Sequence, residues 1–190
     1  MSKKLGRSFW GLWLFANVIG GICLPILVWQ APYTIKSQIF LNEVLQSIGI
    51  AIAQSYVLRD RFTKEKWWLP LTLFGWLTGL CLVHFVPALA FQINQQNLPL
   101  ITILVADFAI IGATVGICQW QLLRKFRAGG LWLAASVSAL CLSAFGIYLG
   151  YMINSSILAI IFQSIIYGAI TGLALIKILR SPKLLPKTRK

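Results

Sequence analysis

Six apolar runs of about twenty residues each, separated by short polar connections, constrain this chain more than any other feature. A helix needs roughly twenty apolar residues to cross about 30 Å of hydrocarbon, and backbone groups in lipid must be hydrogen-bonded within their own segment. The runs therefore predict an all-α fold, a polytopic membrane protein with six transmembrane helices. They lie at about 9–29, 38–58, 67–91, 99–123, 131–152 and 157–179.

The charged residues support that interpretation by their number and by their position. They make up 11% of the chain, against roughly 25% in ordinary soluble domains, which is too few to cover a soluble protein of this size. The net charge of +13 comes from basic residues in the connections and at the ends of the chain. Because these residues alternate with apolar runs, the pattern indicates a membrane partner and argues against nucleic acid.

The orientation follows from the lysines and arginines, which favour the cytoplasmic side of a membrane. In the six-span topology, sixteen of the seventeen lie on one side and only Lys36 lies on the other. Both termini are therefore predicted to be cytoplasmic, in an inner membrane that is either a plasma membrane or a thylakoid.

An internal repeat is predicted from the even-numbered spans. The stretch G-A-T-V-G-I-C-Q-W-Q-L-L-R at 112–124 has weaker counterparts at 47–61 and 168–183. A shift of 65 residues places Gln54 on Gln119, and in the odd-numbered spans the aligned residues are Trp10, Trp68 and Trp132. The predicted domain covers 1–182 as three parallel hairpin units, at about 8–62, 63–127 and 128–182, followed by a basic tail at 183–190.

Two groups of residues in these units have predicted structural roles. Small residues four apart allow helix backbones to approach closely in lipid, and tryptophan and arginine near the span ends favour the membrane interface. The predicted packing residues are Ser47, Ala51, Gly75, Gly79, Gly112, Gly116, Gly168 and Gly172. The predicted interface anchors are Trp10, Trp68, Trp120, Trp132, Arg59, Arg124 and Arg180.

Ionisable side chains inside the spans are the candidate functional residues, because charges are costly in lipid. Asp107, His84 and Glu43 lie in the outer halves of their spans, and the repeat places Asn42 and Gln163 at the position of Asp107. One unit thus has an acid where the others have amides. Two interpretations remain open: hydrogen bonds between helices, with Asp107 protonated, or an outer-half pocket that binds a ligand or a proton.

The sequence contains no sign of catalysis. It has no H-E-x-x-H, no G-x-S-x-G, no Walker-type loop and no clustered acidic residues to hold a metal, the patterns that carry common hydrolytic and phosphate chemistry. A non-enzymatic protein without a metal site is therefore expected. Because His84 is the single histidine of the sequence, it forms no ligand pattern with a second one. An axial contact from His84 to chlorophyll or haem is an open alternative.

The stretch at 112–124 and Y-G-A-I-T-G-L-A-L-I-K-I-L-R at 167–180 resemble a group of uncharacterised multi-span proteins of cyanobacteria and related phototrophic bacteria. In that group G-x-x-x-G-x-x-Q-W-x-x-L-R is followed by a cytoplasmic turn and a W-W pair. Here the pair, Trp67–Trp68, follows the weaker second-span copy, in which Ser55 replaces the tryptophan of the motif. The resemblance implies this topology and a phototroph's membrane, and it implies no activity.

The favoured hypothesis is an accessory or assembly subunit of a larger membrane complex, with a photosynthetic complex as the first candidate. Its predicted partners are membrane lipids and other subunits. The alternative is a small carrier or channel with a polar pocket in the outer half of the bilayer. A further alternative is pigment or haem binding through His84, and chlorophyll, carotenoid or lipid are the open choices of ligand.

Overall fold

The computed structural model describes residues 6–28, 35–59, 61, 65–90 and 99–183. In these residues the fold is all-helical, with six long helices, one single-turn helix and a short 3-10 turn at Glu65–Trp67. The helices are α1 (Arg7–Cys23), α2 (Pro25–Val28), α3 (Ile35–Leu58), α4 (Trp68–Ala90), α5 (Leu100–Leu123), α6 (Leu131–Met152) and α7 (Ser156–Arg180).

Helix α1 is shorter than predicted because of Pro25. The predicted span extends to residue 29, but α1 ends at Cys23 and the single turn α2 begins at Pro25. Proline has no backbone N–H and its ring clashes with the preceding turn, so a helix ends or bends before it. Trp29 and the connection at 92–97 lie outside the described residues, as does the tail beyond Lys183.

Three of the helices, α5, α6 and α7, are long and apolar enough to cross a membrane, judged by length and composition over the described residues. A shorter apolar stretch, Trp68–His84, lies in α4. These helices are consistent with a location in a membrane. Helix α3 is more polar along its first half, where Lys36, Asn42 and Glu43 lie.

The six long helices form a closed ring. Each packs against its neighbour in the chain, and α1 packs against α7. Beside the end of α7, the backbone N–H of Arg127 donates to the carbonyl of Pro182 at 2.9 Å. At the end of α3, the guanidinium of Arg61 lies 5.3 Å from the centroid of the Phe9 ring in α1. The starts of α1, α4 and α6 thus share one end of the ring with the ends of α3, α5 and α7. We call it the basic end.

Glycine lies where helix backbones touch. A Cβ on Gly75 of α4 would lie 2.7 Å from the Cα of Val115 in α5, and one on Gly20 of α1 would lie 2.5 Å from the carbonyl oxygen of Gly49 in α3. Such contacts exclude any larger residue, as in small-residue packing between helices in lipid. The other predicted packing residues also face neighbouring helices or are buried: Gly79 against α5, Gly112 and Gly116 against α6, Gly168 and Gly172 against α1, and Ser47 and Ala51 within α3.

Candidate functional site

Three tryptophans fill the ring of helices near the basic end. Trp13, Trp68 and Trp132 come from α1, α4 and α6, and all three are fully buried. Trp68 packs edge-on against both others, with ring centroids 5.9 Å from Trp13 and 5.4 Å from Trp132. We call this cluster the tryptophan layer. It closes the interior of the ring at this level.

Gln119 of α5 joins three helices through its side-chain amide. Its Nε2 donates to Oγ1 of Thr72 in α4 at 2.7 Å, and Nε1 of Trp132 in α6 donates to its Oε1 at 3.0 Å. Gln119 is fully buried, where an unpaired amide would be costly. The two hydrogen bonds therefore help to fix how α5 sits between α4 and α6.

Gln54 of α3 repeats this arrangement. Its Nε2 donates to Oδ1 of Asn17 in α1 at 2.9 Å, and Nε1 of Trp68 in α4 donates to its Oε1 at 2.9 Å. Nδ2 of Asn17 donates in turn to the carbonyl oxygen of Trp13 at 2.7 Å. Each glutamine accepts from the tryptophan of the next helix. It donates to the residue four positions after the tryptophan of the previous helix.

Around α7 the arrangement differs, because α7 has Leu175 where the predicted repeat places the counterpart of Gln54 and Gln119. Nε1 of Trp13 donates instead to Oγ1 of Thr171 at 3.0 Å, one turn earlier along α7. Ser136 lies four residues after Trp132, and its buried hydroxyl has no hydrogen-bond partner among the described residues. Helix α7 thus lacks a buried amide like those of Gln54 and Gln119, which form hydrogen bonds to both neighbouring helices.

The interpretation of Trp68 and Trp132 as interface anchors is wrong. Inside the ring, each indole buries its apolar surface and donates its N–H to a glutamine oxygen, which satisfies both halves of an amphipathic side chain. In α1 the tryptophan that joins the layer is Trp13 and not Trp10, which the sequence alignment pairs with Trp68 and Trp132. Trp10 is only part-buried and donates through Nε1 to the carbonyl oxygen of Ala169 at 3.1 Å.

The remaining predicted anchors lie at the basic end. Arg59, Arg124 and Arg180 have exposed side chains in the turns or helix ends there. Trp120 is partly buried and packs against the apolar cluster that surrounds the tryptophan layer. The structure thus separates exposed arginines from inward-facing tryptophans.

A second polar contact crosses the ring nearer the opposite end. Nε2 of Gln46 in α3 donates to Oε1 of Gln163 in α7 at 3.0 Å, and both side chains are buried. Helix α1 packs against both α3 and α7, and its Gly21 leaves room for the contact. A Cβ there would meet Oγ of Ser164 and lie 3.6 Å from Nε2 of Gln46. Gln163 therefore accepts a hydrogen bond between helices.

Several buried polar atoms in this half of the ring have no hydrogen-bond partner in the part of the chain that the structure describes. They are Oδ1 of Asn42, Oε2 of Glu43 and Oγ of Ser164. Nε1 of Trp76, nearer the middle of the ring, is also buried and unpaired among the same residues. Each unpaired group costs about 1–3 kcal/mol, so the three unpaired atoms of Asn42, Glu43 and Ser164 mark a candidate polar site.

The predicted ionisable residues lie on three consecutive helices of the ring. Asp107 of α5 lies within electrostatic range of Glu43 of α3 and of His84 of α4. His84 is exposed, and its Nδ1 lies 2.9 Å from the carbonyl oxygen of Leu80. The structure therefore places both Glu43 and His84 within range of Asp107, and Oε2 of Glu43 is itself one of the unpaired atoms. Over the described residues, no group of three or more His, Cys, Asp or Glu residues could hold a metal ion.

Asn17, Thr72 and Thr171 belong to the hydrogen-bonded layer but are not predicted from the sequence. A signal for the first two exists: Trp13 and Trp68 are each followed four residues later by a polar residue within an otherwise apolar run. Residues four apart lie on one face of a helix, so this spacing places tryptophan and polar group side by side.

Comparison of the chain with protein-family models, with curated proteins and with solved structures gave no match in any of the three.

Proposed function

We propose that the protein spans an inner membrane with six helices, arranged as three parallel hairpin repeats, with both termini in the cytoplasm. The recurring bonds of Gln54 and Gln119 support the repeat, since each links the same positions of the helices before and after it. The basic end supports the orientation, because lysine and arginine favour the cytoplasmic side.

Within that membrane the protein acts as a non-enzymatic accessory or assembly subunit of a larger complex. The observation that carries this proposal is the tryptophan layer, in which the chain's own side chains occupy the middle of the ring. The surface left for partners is the outside of the ring. It is apolar on several helices, where Phe15, Phe74 and Leu173 are each more than 60% exposed.

Purification in mild detergent tests the proposal directly. An affinity-tagged chain, extracted from its own membranes, is expected to migrate on a native gel with a complex much larger than its 21.2 kDa. Mass spectrometry would then identify the companion subunits, with an unrelated tagged membrane protein from the same cells as the control. Recovery only as a monomer or a small homo-oligomer would count against the accessory role. The resemblance to proteins of phototrophs makes photosynthetic complexes the first to examine, by an absorption spectrum of the same sample.

A second candidate function, a carrier or channel, is favoured by the cluster of Glu43, Asp107 and His84. Carboxylates and histidine on facing helices are common parts of proton and ion pathways in membranes. The unpaired atoms of Asn42 and Ser164 add polar groups to the same half of the ring. A transport cycle would also require the tryptophan layer to open toward the basic end.

Proton flux into vesicles that contain the purified protein tests this second function. If the cluster carries protons, a potential-driven flux reported by a pH-sensitive dye is expected, and Asp107→Asn should lower it at least about tenfold, since the amide cannot exchange a proton. Glu65→Gln is the matched control, because it makes the same change of group in the 3-10 turn at the basic end. Equal fluxes for wild type and Asp107→Asn would exclude a proton pathway through the cluster.

A further inference from the structure

A groove runs along the outer surface of the ring between α1 and α3. Its volume is about 690 Å³, within the roughly 300–1,000 Å³ typical of small-molecule sites. The two helices touch at Gly20 and Gly49, and toward the basic end Ala16 and Ala53 line the space between them. The larger side chains of the groove are apolar or aromatic and lie on both helices: Leu12, Phe15, Ile19, Ile52, Tyr56 and Val57.

Two arginines lie at the end of this groove that faces the basic end. Arg59 and Arg61 both line it. The guanidinium of Arg61 lies over the ring of Phe9, 5.3 Å from the centroid, a contact that holds the charge in place. Its Nη1 is buried and has no hydrogen-bond partner among the described residues. An unsatisfied charged donor is costly, so this position favours an anionic acceptor.

We propose that the groove binds one anionic glycerophospholipid, with an acyl chain between α1 and α3 and the phosphate at Arg59 and Arg61. Arginine matches phosphate oxygens in charge and in geometry. The eight residues from Ile52 to Arg59 span about 10 Å of helix, so an extended acyl chain can follow the apolar walls while its headgroup stays at the basic end.

A net negative headgroup fits this end better than a zwitterionic one. Arg59 and Arg61 both line this end of the groove, so two cations face the proposed phosphate position. The ammonium group of a zwitterionic lipid would lie among these cations, whereas a glycerol headgroup adds no positive charge. The proposal rests on the membrane placement given above and is independent of the accessory role.

Lipid binding to the purified protein tests the proposal. The delipidated full-length chain in mild detergent would be titrated with dioleoylphosphatidylglycerol and with dioleoylphosphatidylcholine, and the bound lipid counted by native mass spectrometry. Phosphatidylglycerol is expected to bind at least about tenfold more tightly. Arg61→Gln should weaken its binding about fivefold, the effect of one basic side chain near an anionic headgroup. Ala53→Phe, which fills the groove, should weaken binding of both lipids.

Arg124→Gln is the matched control, since Arg124 is an exposed arginine at the same end but outside the groove. It should bind phosphatidylglycerol as the wild type does. An equal loss of affinity for phosphatidylglycerol in Arg124→Gln and Arg61→Gln would overturn the proposal. It would mean that the overall positive charge of the basic end attracts the lipid and that the groove does not bind it. Equal wild-type affinities for the two lipids would also overturn it, as would displacement of the lipid by millimolar inorganic phosphate. If Arg61→Gln fails to fold, Arg59→Gln provides the same comparison. Because the measurement uses the isolated chain, its outcome does not depend on recovery of a larger complex.

Discussion

Replacing Trp68 by alanine is expected to lower the free energy of unfolding by about 3–5 kcal/mol, the usual cost of removing a large buried aromatic side chain. Trp68 packs against both other tryptophans of the layer and donates its N–H to Oε1 of Gln54. The variant would therefore have a cavity in the middle of the ring and an amide oxygen without its partner. At about 2–4 °C per kcal/mol for a chain of this size, the melting temperature in mild detergent should fall by about 6–20 °C.

Trp67→Ala provides the control for that experiment, because it removes the same side chain one position earlier. Trp67 is 54% exposed, so its loss should change the free energy of unfolding by no more than about 0.5 kcal/mol. A similar fall in melting temperature for both variants would mean that the tryptophan layer does not stabilise the ring. A fall for Trp68→Ala alone would locate the stability in the layer.

The sequence predicts the positions of the helices well because apolar length and turn residues are local signals. The run at 131–152 coincides with α6, Leu131–Met152. That helix follows Gly129 and Gly130, and it ends before Asn154, whose φ of 52° lies in the left-handed region. A left-handed residue cannot continue an α-helix. The end of α1 is harder to predict, since the apolar run continues past Pro25.

The direction in which a tryptophan points is a different problem. In a membrane protein both the interior and the lipid-facing surface are apolar, so hydropathy does not separate Trp68, which is fully buried, from Trp67, which is exposed. The buried amides carry that information instead. Gln54 and Gln119 mark the inward faces of α3 and α5, and the tryptophans that bind them can be identified only once the order of helices in the ring is known.

The candidate polar site shows the same limit. Asp107, His84 and Glu43 are conspicuous in the sequence because ionisable residues are rare in apolar spans. Their proximity depends on α3, α4 and α5 being consecutive in the ring, which spacing along the chain does not specify. Gln46 and Ser164 are inconspicuous in the sequence, and only the structure shows that both are buried and that both lie beside Gly21.

Gln119→Leu is expected to destabilise the protein by about 1–3 kcal/mol, because it leaves the buried N–H of Trp132 without an acceptor. The volume of the side chain is nearly unchanged, so the loss of stability should come from the missing hydrogen bonds. In the proposed repeat, Leu175 of α7 aligns with Gln119, and there Trp13 donates to Thr171 one turn earlier. In the same alignment Val115 of α5 takes the place of Thr171, and it is fully buried.

Val115→Thr should therefore rescue Gln119→Leu, because it places a hydroxyl where α7 has one. We expect the double variant to recover about half or more of the lost melting temperature in mild detergent. In the wild-type background Val115→Thr should instead destabilise the protein. There the indole N–H of Trp132 already donates to Gln119, so the new hydroxyl would be a buried polar group with no indole N–H to accept. This opposite sign in the two backgrounds is the decisive measurement. If Val115→Thr destabilises both backgrounds equally, α5 and α7 do not present equivalent positions to the tryptophan layer, and the repeat does not extend to its hydrogen bonds.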